Sequence, residues 1–101
     1  MADTPQAPGK LKKRVRDLLR FPADYDFEDL KKILEAFGFT AEPPRRGSHW
    51  VFYGPNPRNP SEELQITIPV KKGRKVKRPY LKRVAERLLL EEWLQRVEEE
   101  R

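Results

Sequence analysis

The sequence predicts a single α+β domain in which helices cover one face of a small antiparallel sheet of three strands. Three observations lead to this prediction. Apolar residues recur at helical spacing near the two ends of the chain. Between them, apolar and polar residues alternate as they do in half-buried antiparallel strands. The length of 101 residues is enough for one domain with a small core.

The first part of the chain predicts two helices. Residues 1–9 are polar and contain two prolines, so we expect a disordered lead-in and a domain that covers residues 10–101. Residues 10–20 predict a short basic helix, which the following Phe-Pro pair ends. Residues 26–37 predict the clearest helix, with Asp26 as its cap and Asp29 in a capping-box position. Its apolar stripe consists of Phe27, Leu30, Ile33, Leu34 and Phe37.

The middle of the chain predicts strands. Residues 39–44 are short and broken by prolines, so they form an edge strand at best. Residues 49–53 and 64–70 predict two strands that pair as an antiparallel hairpin. Residues 54–60 lie between them and predict a loop, because three prolines disfavour a regular ladder.

Alternation along the strand at residues 49–53 divides its side chains between two faces. One face carries His49, Val51 and Tyr53, and the other carries Trp50 and Phe52. Helices cover only one face of the predicted sheet, so one of these two sets lies on an open face. We assign Trp50 and Phe52 to the core.

A basic segment precedes the last helix. Six of the eight residues at 71–78 are lysine or arginine, and Pro79 then predicts the first turn of one long helix. Residues 71–87 contain nine basic residues and one acidic residue, an excess of eight. This density predicts contact with a phosphate backbone. Gly73 allows the protein backbone to approach a phosphate closely, and the helix N-terminus provides backbone N–H donors.

The composition narrows the class of protein. The 22 lysines and arginines exceed the 16 acidic residues by six, which favours a polyanionic partner, RNA or DNA first. There are no cysteines, which fits a reducing cytoplasm and excludes thiolate metal sites. The start of the chain has no signal-peptide pattern, and no stretch is apolar enough to span a membrane.

His49 is the only histidine, and it follows a Gly-Ser pair at the start of a predicted strand. Histidine transfers protons near neutral pH, so His49 is the candidate general acid or base. RNA carries its own nucleophile, the 2′-OH, so an RNase can act with one such group and nearby positive charges, without metal or cofactor. The alternative is that His49 only starts the strand and hydrogen-bonds locally.

Three segments in this order resemble the HicA toxins of bacterial type II toxin–antitoxin systems. They are a helix with a Gly-Phe exit at residues 27–39, the Arg-Gly-Ser-His motif at 46–49, and the Ile-Thr-Ile-Pro-Val strand at 66–70 with its basic linker and last helix. The resemblance covers about residues 24–90. It implies a fold similar to double-stranded-RNA-binding domains, α-β-β-β-α, here with an extra helix in front.

The resemblance also implies a ribosome-independent mRNA endonuclease that is a monomer when free and is neutralised by a cognate HicB-like antitoxin. Its catalytic histidine corresponds to His49. The residues that we expect to contact RNA are Arg45, Arg46, Ser48, Lys71, Lys72, Arg74, Lys75, Lys77 and Arg78. Two alternatives stay open: a non-catalytic RNA- or DNA-binding module, and an interaction protein whose basic face meets an acidic partner.

Overall fold

The computed structural model of the chain describes residues 8–99. Within them, four helices and five strands follow one another in an α+β arrangement, as predicted. In chain order they are α1 (Pro8–Leu19), β1 (Asp24–Asp26), α2 (Phe27–Ala36), β2 (Thr40–Glu42), β3 (His49–Asn56), β4 (Asn59–Pro69), β5 (Lys75–Lys77), α3 (Arg78–Arg87) and α4 (Leu90–Glu99).

The main sheet is antiparallel, with strand order β2-β3-β4. Pairing of Glu42 with Val51 and of Val51 with Thr67 sets the register across its three strands. Phe52, Ile66 and Ile68 point into the core and are buried, whereas His49 and Glu42 on the other face are exposed. Of the two faces that alternation predicted, the open one therefore carries His49, Val51 and Tyr53.

The helices bury their apolar stripes against the inner face of the sheet. The interior contains residues from α1, α2, α3, α4 and the strands in one continuous cluster. Phe27, the first residue of α2, is fully buried, with its ring centroid 6.2 Å from that of Phe52. The Asp26 side chain caps α2 by accepting from the Glu28 N–H at 2.8 Å, as predicted. Asp29 instead lies 3.4 Å from Arg14 of α1.

The N-terminal boundary differs from the predicted one. The first helix begins at Pro8, two residues earlier than expected. Proline is favoured in the first turn of a helix, because its missing N–H has no helical partner there. The rest of the predicted disordered lead-in, residues 1–7, lies outside the described residues.

The predicted proline-rich loop at residues 54–60 is wrong. β3 continues to Asn56 and β4 begins at Asn59, so a two-residue turn joins them. The Asn56 side chain closes this turn by accepting from the Arg58 N–H at 3.0 Å. Pro55 lies beyond the end of the pairing with β2, and Pro60 belongs to an edge strand, so both positions tolerate a missing N–H.

Part of the predicted basic linker forms a second sheet. β5 pairs antiparallel with β1, with Tyr25 opposite Val76 and both side chains buried. A tight turn precedes β5, in which the Arg74 N–H donates to the Lys71 carbonyl at 2.9 Å. Gly73 in this turn has a φ of 78°, which glycine adopts without strain. A strand of three residues is too short to show the alternation of apolar and polar residues, so the sequence did not predict β1 and β5.

The predicted single last helix is two helices. α3 ends at Arg87, and Leu89 has a φ of 53°, which breaks the helical path before α4. Leu88 and Leu90 are both buried. In one straight helix, these two side chains would point about 200° apart around the helix axis. The break in the helix therefore allows both of them to reach the core.

Candidate active site

A glycine turn and the first pairing of β3 position His49. β2 ends at Glu42, and the chain returns through a segment in which Gly47 has a φ of 72°. His49 then starts β3 opposite Pro69, and the Ser48 carbonyl accepts from the Val70 N–H at 2.9 Å. The His49 backbone is therefore fixed in the sheet, while its side chain is exposed on the open face.

An open concavity surrounds His49. Its wall includes Arg45, Arg46 and Glu42, together with Val51 and two prolines of the return segment. The structure thus brings two of the predicted RNA-contacting residues to the same surface as the histidine. A guanidinium group can form paired hydrogen bonds with phosphate oxygens, so this surface has the chemistry to bind a phosphodiester.

A second concavity lies on the other side of the β3 strand end. Ser48 and Trp50 line it together with Lys71, Lys72 and Arg74. Six of the nine predicted RNA-contacting residues are therefore divided between two neighbouring concavities, which have Pro44 in common. Lys75, Lys77 and Arg78 line neither of them. His49 lines only the first of them.

Three of the predicted phosphate-binding cations have partners within the fold. Arg74 donates to Glu28 at 2.6 Å, and Lys77 lies 2.8 Å from Asp24. The Arg78 Nε donates to the Phe21 carbonyl at 2.7 Å. The first two contacts join β5 and the turn before it to β1 and α2, and the third joins the start of α3 to the segment between α1 and β1. Part of the basic density therefore stabilises the fold. Each of these three side chains is also exposed enough to approach an anion.

The other predicted cations of this segment project into solvent. Lys71, Lys72 and Lys75 are exposed, and none of them forms a side-chain ion pair with another residue at positions 8–99. Lys71 and Lys75 hold the turn through their backbones, since the Lys71 N–H donates to the Lys75 carbonyl at 2.9 Å. Three ammonium groups are therefore available to phosphate, and those of Lys71 and Lys72 belong to the concavity of Ser48 and Trp50.

Trp50 connects the second concavity to the core. Its ring centroid lies 4.8 Å from that of Phe27. The Lys31 Nζ lies 5.4 Å and the Arg74 guanidinium carbon 5.9 Å from the Trp50 centroid. The core assignment of Trp50 and Phe52 is confirmed by this packing, although Trp50 is only partly buried. Sequence reasoning missed Lys31, because its place beside Trp50 depends on how α2 packs on β3.

The open face also carries a hydrogen-bonded pair that the sequence did not predict. The Tyr53 hydroxyl donates to the Glu42 carboxylate at 3.1 Å. This hydrogen bond raises the pKa of Tyr53, because ionisation of the phenol would place a second negative charge beside the carboxylate. The pairing of β2 with β3 brings the two side chains together, and a three-residue edge strand gives too little pattern to predict it.

The described residues contain neither a metal-binding cluster nor a membrane-spanning helix. Within residues 8–99, no group of three or more histidine, aspartate or glutamate side chains is arranged to hold a metal ion. None of the helices in that range is long and apolar enough to cross a membrane.

Comparison with known families decides the class of protein. The family model described as the HicA toxin of bacterial toxin–antitoxin systems matches residues 27–90, which is more than half of the chain. The chain belongs to the HicA toxin family. It is therefore the toxin component of a toxin–antitoxin system, and the family implies a cognate antitoxin. No curated protein and no solved structure matches the chain.

The HicA match covers the parts of the fold that carry the candidate site. It begins at the first residue of α2 and ends at the first residue of α4, so it includes the main sheet and the basic segment. Helix α1 and strand β1 precede it. In this toxin these two elements pack on the matched region through Val15 and Tyr25, both of which are buried. The Tyr25 hydroxyl also donates to the Arg14 carbonyl at 2.8 Å, which joins β1 to α1.

Proposed function

We propose that this HicA toxin is a metal-independent endoribonuclease that cleaves mRNA and uses His49 for proton transfer. One observation carries the proposal: His49 is exposed on the same concavity as Arg45 and Arg46. RNA supplies its own 2′-OH nucleophile, so the protein needs only to move protons and to stabilise charge on the phosphate.

The two arginines supply the charge stabilisation in this proposal. During the attack on phosphorus, negative charge builds up on the non-bridging oxygens. Cationic donors aimed at these oxygens stabilise the transition state more than the ground state. The exposed lysines at positions 71, 72 and 75 bind phosphates of the same RNA strand farther from the reacting bond.

The same surface is the proposed site of inhibition. The helices of this toxin cover only the inner face of the sheet, so the outer face is accessible to a partner. We propose that a HicB-like antitoxin covers this face and the turn that contains Gly47, and that the free toxin is a cytoplasmic monomer. An antitoxin in this position prevents RNA from reaching His49.

The direct test is to incubate the purified toxin with a defined mRNA in the presence of a metal chelator. We expect endonucleolytic cleavage, because no step of the proposed reaction needs a metal ion. If the RNA remains intact while it binds the protein in a salt-dependent way, the non-catalytic RNA- or DNA-binding module becomes the better account.

Replacing Lys71, Lys72 and Lys75 together with glutamine is expected to weaken RNA binding with little effect on sequence preference. For single strands, each phosphate contact contributes about 0.7 to the slope of log affinity against log salt concentration. Loss of three contacts should therefore lower the magnitude of this slope by about 2. Fluorescence anisotropy at several salt concentrations measures the slope for the wild type and the variant.

The matched control removes the same charge elsewhere. Lys10, Lys12 and Lys13 of α1 precede the HicA-matched region, and their replacement with glutamine also removes three positive charges. We expect the control to keep a wild-type salt slope. Equal slopes for all three proteins would contradict a phosphate-binding role for the lysines at 71, 72 and 75.

A further inference from the structure

A carboxylate lies among the cations of the candidate active site. Glu42, the last residue of β2, is exposed and lines the concavity of His49, Arg45 and Arg46. It forms no ion pair with any lysine, arginine or histidine of the described residues. A negative charge opposes the binding of a phosphodiester, so charge alone gives no reason for Glu42 at this place.

The sheet register places Glu42 and His49 on the same open face. Glu42 is opposite Val51, so His49 and Tyr53 are its two diagonal neighbours on the open face. Diagonal cross-strand neighbours are about 7–8 Å apart, within the combined reach of their side chains. The Tyr53 hydroxyl donates to one carboxylate oxygen of Glu42 and restrains its position. The Glu42 and His49 side chains form no ion pair with each other, and both line one open concavity.

Cleavage of RNA through its own 2′-OH needs two proton transfers. One proton leaves the attacking 2′-OH, and another reaches the departing 5′-oxygen. The two oxygens lie on opposite sides of the phosphorus in an in-line displacement. The base and the acid must therefore be separated across the phosphate rather than hydrogen-bonded to each other. Glu42 and His49 line one concavity and are not ion-paired with each other, which is compatible with this requirement.

We propose that Glu42 is a second catalytic residue, the general base, and that His49 in its protonated form is the general acid. This inference rests on the proposed ribonuclease function. The 2′-oxygen forms a bond to phosphorus as its proton passes to the Glu42 carboxylate. The bond from phosphorus to the 5′-oxygen breaks as the His49 imidazolium donates its proton to that oxygen. The products are a 2′,3′-cyclic phosphate and a 5′-hydroxyl.

The surrounding groups fit these two roles. A glutamate side chain is ordinarily ionised at neutral pH, whereas histidine exchanges protons there. Tyr53 from β3 contacts Glu42, and Glu63 from β4 acts electrostatically on Tyr53. His49 and the arginines at 45 and 46 line the same concavity as Glu42. The hydrogen bond to Glu42 raises the pKa of Tyr53 further above neutrality, so the phenol continues to donate to the carboxylate. The 2′-OH is the nucleophile in this scheme, so the reaction requires no water nucleophile and no metal ion.

Glu42→Gln tests the inference, because glutamine keeps the shape and removes the base. We expect a single-turnover cleavage rate about 10²- to 10⁴-fold below the wild type, with RNA affinity unchanged or slightly tighter. Glu42→Asp, which restores a carboxylate, should recover part of the rate.

Glu63→Gln is the matched control. Glu63 is an exposed residue of β4, opposite Pro55 in the hairpin, and its replacement changes the charge of the open face by the same amount. We expect wild-type cleavage from this control. If Glu42→Gln cleaves at the wild-type rate while His49→Ala is inactive, Glu42 is not the base, although the proposed function stands. Cleavage by Glu42→Asp that is as slow as cleavage by Glu42→Gln would also overturn the inference, because a restored carboxylate should restore part of the rate. Absence of cleavage by the wild type would overturn the proposed function itself.

Discussion

Replacing His49 with alanine is expected to lower the rate of RNA cleavage by about 10²- to 10⁴-fold, the usual contribution of a general acid–base group. The variant loses proton transfer and keeps Arg45 and Arg46, so RNA should still bind with a similar salt dependence. Single-turnover cleavage and fluorescence anisotropy measure the two properties separately. Growth inhibition on expression should disappear together with cleavage.

The fold of this variant should be intact. The His49 side chain is exposed and packs against no part of the core, so the free energy of unfolding should change by less than about 0.5 kcal/mol. Gln65→Ala is a suitable control, because Gln65 is another exposed residue of the same open face. Equal cleavage rates for wild type and His49→Ala would remove His49 from the mechanism. Unfolding of His49→Ala would instead support a structural role.

Replacing Phe27 with alanine is expected to lower the free energy of unfolding by about 3–5 kcal/mol. Phe27 is fully buried, and its ring contacts Trp50 on one side and has the Arg74 guanidinium 5.0 Å from its centroid. A loss of this size is a large part of the total free energy of unfolding of a folded domain, which is typically about 5–15 kcal/mol. Equilibrium urea denaturation measures it.

The effect of Phe27→Ala should extend to the second concavity. Trp50 and Arg74 would lose the ring that supports them, so binding of RNA beside Ser48 should weaken even at temperatures where the variant is folded. Phe27→Leu keeps most of the buried volume, and we expect from it a smaller loss of stability. A loss below about 1 kcal/mol for Phe27→Ala would show that the core does not depend on this ring.

The sequence predicted those parts of the fold in which local pattern and burial agree. Helix α2 has an apolar stripe and a capping aspartate, and both are present in the structure. Alternation along β3 correctly predicted that His49 and Trp50 lie on opposite faces of the sheet. Because helices cover only one face, the two side chains have different surroundings. His49 was identifiable as a candidate because it is the only histidine and follows a Gly-Ser pair.

Other features depend on contacts between segments that are distant in sequence. β1 and β5 are three residues each and are defined by their pairing with each other. Leucine favours helix, yet the helical path breaks at Leu89. Burial of Leu88 and Leu90 on either side compensates for the cost of this break. The position of Glu42, the proposed general base, could not be predicted for a similar reason. Its position diagonal to His49 follows from the β2–β3 register, which no local pattern determines.

The chemical nature of the cleaved RNA ends tests the central claim most directly. Purified wild-type toxin is incubated with a short RNA of known sequence in the presence of a chelator, and the products are analysed by mass spectrometry. Proton transfer by His49 to the 5′-oxygen, with the 2′-OH as nucleophile, predicts a 2′,3′-cyclic phosphate on one fragment and a 5′-hydroxyl on the other. Fragments with a 3′-hydroxyl and a 5′-phosphate would contradict the account, because they require attack by water instead of the 2′-OH.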